Sequence, residues 1–156
     1  MKINTIINGK NIIEEINPSK RLLDYLREDL RILGVKEGCG EGECGACAVL
    51  IDNVLVNSCL VAVGYINNKE VVTIDYFKNT ESYKIIEESF IKEGAVQCGF
   101  CTPGFVIATY TLLKKNKSPS EEEIKEGISG NLCRCTGYNM IVNAVRRASK
   151  RGEGVW

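Results

Sequence analysis

Eight cysteines and no histidine constrain this chain more than any other feature of it. The cysteines fall into two groups of four with different spacings. Cys39, Cys44, Cys47 and Cys59 read C-x4-C-x2-C-x11-C within GCGEGECGACAVLIDNVLVNSC. Cys98, Cys101, Cys133 and Cys135 read C-x2-C-x31-C-x1-C, from QCGFC and a later CRC. No cysteine is left over, so the count itself argues for two complete thiolate sites.

The first tetrad has the spacing of a plant-type 2Fe-2S ferredoxin site, in which four thiolates hold a diiron cluster, two on each iron. Without histidine, a Rieske-type centre and any mixed Cys/His zinc finger are excluded. Gly38, Gly40, Gly42 and Gly45 lie among the first three cysteines. A loop passing close to inorganic sulfide has little room for Cβ atoms and often needs positive φ. Successive N–H groups in such a loop form a concavity for an anion. Glu37, Glu41 and Glu43 beside it would make reduction harder, with solvent screening part of the effect.

The second tetrad is chemically less common. In a strand, Cys133 and Cys135 would stand on one face about 7 Å apart, too far for one iron without a bend. In a turn between helices they can converge. Arg134 between them is read as a solvated side chain. A redox-active or zinc-binding dithiol is the other reading of this pair, and zinc would accept all eight thiolates as two four-ligand sites.

Lys+Arg and Asp+Glu balance at 20 each, which leaves no basic stripe for nucleic acid. The start, MKINTIINGKNIIEEINPSK, has no apolar h-region, and no run of about eighteen apolar residues predicts a membrane span. The expectation is an unsecreted, cytoplasmic chain whose cysteines bind metal rather than form disulfides.

Patterning divides the chain near residue 76. Ile-rich runs at 3–7 and 12–16 flank Asn8-Gly9, a hairpin signal. Pro18-Ser19 opens a helix over residues 20–30, with Leu22, Leu23, Leu26 and Leu30 on one face. Residues 48–51 and 54–56, turned by Asp52-Asn53, predict a second hairpin, and 71–74 a closing strand. Hairpin, helix, metal loop and hairpin describe a β-grasp, plant-type ferredoxin-like domain over residues 1–76.

Residues 77–156 change period and predict four helices. Tyr83, Ile86 and Phe90 mark one over 81–92. Thr102-Pro103 reads as an N-cap and first helical position, opening a helix apolar nearly all round from Phe105 to Leu113. Ser120 and Glu123 make a capping box, and Ile141, Ala144, Val145 and Ala148 mark the last helix. The fold class is thus α+β, a ferredoxin-like domain followed by a four-helix, 2Fe-2S-binding bundle. Cores of about 75 residues supply roughly 3–5 kcal/mol, and a bound cluster can staple them.

GCGEGECGACAV, QCGFCTPG and GNLCRCTGY, in that order, resemble the small iron-sulfur subunit of the molybdenum hydroxylases. The family includes xanthine dehydrogenase, aldehyde oxidoreductase, nicotinate dehydrogenase, hydroxybenzoyl-CoA reductase and aerobic carbon monoxide dehydrogenase. The resemblance covers almost the whole chain and all eight cysteines. It implies two 2Fe-2S clusters here, molybdenum on a molybdopterin in a large subunit, FAD in a medium subunit, and a dimer of heterotrimers. It implies that Cys98, Cys101, Cys133 and Cys135 hold the molybdopterin-proximal cluster, and Cys39, Cys44, Cys47 and Cys59 the FAD-proximal one. Gln97 matches a position that hydrogen-bonds the pterin, and Cys135 a ligand whose sulfur also touches it.

Substrate hydroxylation releases two electrons, whereas a 2Fe-2S cluster accepts one, so two clusters can drain the pair toward flavin. The chain has no dinucleotide fingerprint and no catalytic residue of its own. The expectation is an electron-transfer subunit of an oxidoreductase, of xanthine or purine dehydrogenase type as the commonest in the family. The other members named above are alternatives within the family. A free ferredoxin-type carrier is the alternative of another class.

Overall fold

In the computed structural model, which describes all 156 residues, two tight turns set up the sheet. Asn8 and Gly9 both take positive φ (52° and 75°), as a two-residue type I′ turn requires. They join β1 (Lys2–Ile7) to β2 (Lys10–Glu15), with Ile7 opposite Lys10. Asp52 and Asn53 (φ 48° and 66°) do the same between β3 (Ala48–Ile51) and β4 (Val54–Asn57). β5 (Glu70–Val72) enters between the hairpins, parallel to β1 and antiparallel to β3, giving the order β2-β1-β5-β3-β4.

β5 ends earlier than the 71–74 expected. Asn8 explains the stop: its side-chain oxygen accepts the Thr73 N–H (2.9 Å) and its amide nitrogen donates to Thr73 Oγ1 (3.0 Å). Thr73 becomes the residue before α2 (Ile74–Phe77), so Ile74 is helical rather than extended.

The first helix also departs from expectation. Its α-helical part, α1 (Leu22–Asp24), runs on as a π-helical segment (Tyr25–Asp29), closed by Leu30 N–H on the Tyr25 carbonyl (3.1 Å). Strand-like bonds delay its start. Leu22 N–H donates to Val61 O (2.7 Å) and Val63 N–H to Lys20 O (2.8 Å), so residues 20 to 22 are pinned against the chain that follows Cys59.

β3 is buried along its whole length, and this organises the molecule. Successive side chains of a strand point to opposite faces. Val49 and Ile51 join Ile3, Ile7, Leu22, Leu26 and Val71 in one core, while Ala48 and Leu50 join Phe77, Phe105 and Ile107 in the other. The helical half therefore packs directly on the sheet.

That half contains α3 (Glu81–Lys92), α4 (Thr102–Lys115), α5 (Glu121–Gly127) and α6 (Asn139–Arg151). Thr80 caps α3 by accepting the Tyr83 N–H, and Ser120 and Glu123 form the full reciprocal box on α5. α4 is central, with Gly104 through Thr109 and Leu113 buried. α6 lays Ile141, Ala144, Val145 and Ala148 into the same core. Thr102 is not the N-cap of α4. The Cys101 carbonyl already accepts the Phe105 N–H (3.2 Å), which makes Cys101 the capping residue and Thr102 the first helical one.

Candidate metal centres

The first centre is built by the loop between α1 and β3 and by the 3-10 turn Ser58–Leu60 that follows β4. The glycine at 38 leaves space for sulfur, since a Cβ there would stand 2.8 Å from Cys44 Sγ. Backbone amides turn toward the thiols: Glu41 and Glu43 N–H each donate to Cys39 Sγ at 3.3 Å, and Cys39 N–H donates to Cys44 Sγ at 3.4 Å. Such donors favour a thiolate, and Cys39 falls to about 7, chiefly through the Glu41 amide. Burial, then the neighbouring Cys47, pushes Cys59 up to about 11.

Two polar residues that carry no signal in the spacing hold Cys59 in place. Ser58, fully buried, donates its hydroxyl to the Cys47 carbonyl (2.8 Å), and Asn57 donates its amide to the Gly42 carbonyl (2.7 Å). Arg21 reaches the same loop from the other side, bonded to Asp24 and paired with Glu37 at 3.0 Å.

The second centre lies between the loop preceding α4 and the turn between α5 and α6. Cys135 Sγ approaches Cys98 Sγ at 3.7 Å. Cys101 faces Cys133, and burial followed by that neighbour pushes Cys101 up to about 12. Cys133 is lowered to about 7: burial alone would raise it, and donation from the Thr136 hydroxyl and amide outweighs that. Cys133 and Cys135 each face a different cysteine of the QCGFC loop. Gln97 is exposed beside Cys98, and Arg134 is exposed to solvent.

Within both tetrads the thiols are arranged as pairs: Cys39 with Cys44, Cys47 with Cys59, Cys98 with Cys135, and Cys101 with Cys133. Two thiolates per iron is what a diiron cluster takes. The donor set therefore fits a binuclear cluster at each centre.

The comparisons agree with this chemistry. Residues 5–64 match the family model of a 2Fe-2S iron-sulfur cluster binding domain, and residues 73–146 that of a [2Fe-2S] binding domain. The nicotinate dehydrogenase small FeS subunit of Eubacterium barkeri is 45% identical, covering 96% of this chain and 95% of that protein. The chain belongs to the small iron-sulfur subunits of the molybdenum hydroxylases.

Two further relatives frame this iron-sulfur subunit. The xanthine dehydrogenase/oxidase of Mus musculus is 41% identical over 94% of this chain, which spans only 12% of that longer protein. The solved quinoline 2-oxidoreductase of Pseudomonas putida 86 superposes with a TM-score of 0.90 at 36% identity, over 99% of this chain and 96% of that one. Two 2Fe-2S clusters are the subunit's cofactors, its role is electron transfer within an oxidoreductase of xanthine dehydrogenase type, and larger partners are part of that role. No helix is long and apolar enough to cross a membrane.

Proposed function

We propose that this chain carries electrons from a molybdopterin-binding large subunit to an FAD-binding medium subunit, through clusters held by Cys98, Cys101, Cys133 and Cys135 and by Cys39, Cys44, Cys47 and Cys59. The observation that carries the ligand assignment is the arrangement of each tetrad as two thiol pairs, with Cys135 and Cys98 at 3.7 Å. Each cluster supplies one-electron chemistry, so the two together accept the pair released by one hydroxylation. The chain contributes placement, amide and hydroxyl donors to sulfur, and burial.

On this reading the chain divides at residues 76 and 77 into the ferredoxin-like and helical units. Gln97 and Cys135, both exposed at the second centre, face the molybdopterin, and the Cys39 side delivers to flavin. A dimer of heterotrimers and a cytoplasmic location complete the proposal. The substrate pocket lies in the large subunit. A nitrogen heterocycle of the xanthine or nicotinate kind is proposed from the names of the relatives.

Iron and acid-labile sulfide analysis tests the assignment. About four of each per chain is expected, with two distinct reduced-cluster signals in electron paramagnetic resonance. Stoichiometric zinc without sulfide would overturn it. A chain that purifies alone, with no larger subunits, would favour the free carrier instead.

A further inference from the structure

Among the eight cysteines, Cys133 has a distinctive hydrogen-bonding environment. Its sulfur receives a side-chain hydroxyl, that of Thr136 at 3.1 Å, as well as the Thr136 backbone N–H at 3.4 Å. At the first centre the donors to sulfur are backbone amides. Thr136 is itself buried, at 6% exposure. Its oxygen accepts the Tyr138 N–H at 3.4 Å, so the lone-pair side of the hydroxyl is engaged and its proton is left to point at Cys133.

Tyr138 holds this arrangement at a conformational cost. It takes φ +70°, a region that bulky L residues rarely adopt, directly after Gly137 at φ +66°. In that conformation its phenol oxygen accepts the backbone N–H of Cys133 at 2.9 Å. Its ring packs edge-on to the buried Phe105, with centroids 6.4 Å apart. The amide of Cys133 is thus fixed by Tyr138 and its sulfur by Thr136.

We propose that Thr136 sets the reduction potential of the helical-domain cluster through its hydroxyl on Cys133 Sγ, with Tyr138 as the positioning residue that holds the turn. The inference rests on Cys133 being a cluster ligand, as proposed above. One-electron reduction, by dithionite in the test, adds one negative charge, part of which falls on the cysteine sulfurs. A proton donor at 3.1 Å stabilises that added charge and raises the potential. No bond is made or broken, and the proton stays on Thr136.

The test is a redox titration of the cluster-loaded full chain followed by electron paramagnetic resonance. Thr136→Val should make the reduction equilibrium of one signal about tenfold less favourable, roughly 59 mV for a one-electron couple, with the other signal unmoved. Thr136→Ser should restore the wild-type value. Tyr138→Phe should move the same signal in the same direction by less. Thr136→Ala removes the same donor with less crowding, so the question stays decidable if the valine variant does not fold. A variant that loads iron and sulfide normally with an unchanged potential overturns the proposal. A shift common to both signals, with no rescue by serine, overturns it equally, as general loosening. Cys133→Ser leaving both clusters intact would instead overturn the ligand assignment.

Discussion

The backbone N–H of Leu132 donates to the carbonyl oxygen of Cys44 at 3.0 Å. Leu132 precedes Cys133, so this one bond joins a residue adjoining the second tetrad to a member of the first. Asn131 adds a second tie, its amide reaching the Gly45 carbonyl at 3.4 Å. Gly45, at φ +68°, lies so close that a Cβ on it would meet Asn131 Nδ2 at 2.3 Å. The two centres thus share a joint of backbone and buried amide.

Gly104→Ala tests how tight this joint is. Gly104 lies in the first turn of α4, where alanine would improve helix propensity by at most about 1 kcal/mol. Its Cβ would stand 2.2 Å from the Gly45 carbonyl oxygen, a backbone atom that cannot rotate away. Overpacking of that kind costs roughly 1–3 kcal/mol, so a net destabilisation of about 1–2 kcal/mol is expected in urea unfolding. The magnetic coupling between the clusters should weaken too. A variant as stable as wild type with unchanged coupling would show that the joint yields.

Removal of iron should act locally first. Cys47 and Cys59 belong to the sheet core, and Cys101 and Cys133 pack against the helical one, so loss of metal leaves thiols where ligands held loops together. Hydrogen exchange on the apoprotein should show protection falling over residues 38–47, 97–101 and 131–136, ahead of β1 and α4. Native-like protection in all three segments would mean the clusters contribute nothing to the fold.

Acid should open α5 before the rest of the helical half. The Glu123 carboxylate is held below its ordinary 4.5, first by the Ser120 backbone N–H, then by the Ser120 hydroxyl and Asn116. A depressed carboxyl contributes stability that is fully present above the unfolded value and is lost as pH falls through the folded one. Nothing should change from about pH 7 to about pH 5, and the capping box should loosen only below 4.5. The Ser120 amide resonance reports this directly. Its staying fixed down to global acid unfolding would contradict the linkage.

Much of the architecture is legible because local chemistry and tertiary packing agree. Asn8-Gly9 and Asp52-Asn53 dictate their turns, and Ser120 with Glu123 starts α5. Where the reading misses the bounds of α1 and β5, a long-range bond decides. Val61 and Val63 take the backbone groups of Leu22 and Lys20 and delay α1, while Asn8 diverts Thr73 out of β5. Spacing brings each tetrad into view but not its pairing, because whether Cys133 turns to Cys101 or to Cys135 depends on how two distant loops meet. Thr136 and Tyr138 lie within GNLCRCTGY and Ser58 directly before Cys59, but the cysteine spacing gives none of them a role. A polar residue immediately beside a cysteine is the signal that would have found Ser58 and Thr136; the positive φ of Tyr138 shows only in the structure.

The direction of electron flow yields the sharpest experiment. If Gln97 and Cys135 face the pterin, the helical-domain cluster is the first acceptor and the ferredoxin-like cluster the relay to flavin. Gln97→Ala in the assembled complex should slow substrate-driven cluster reduction about tenfold, the equivalent of one hydrogen bond of about 1.4 kcal/mol. The flavin's reaction with its own acceptor should be untouched. Cys44→Ser should do the reverse: the helical-domain cluster still reduces at its normal rate, while electrons fail to reach the flavin. Steady-state turnover falls in both variants, so rapid-mixing spectroscopy is needed to separate them. If the Cys44 variant blocked the first reduction step, and flavin reduction survived loss of the Cys135 cluster, the order would be reversed.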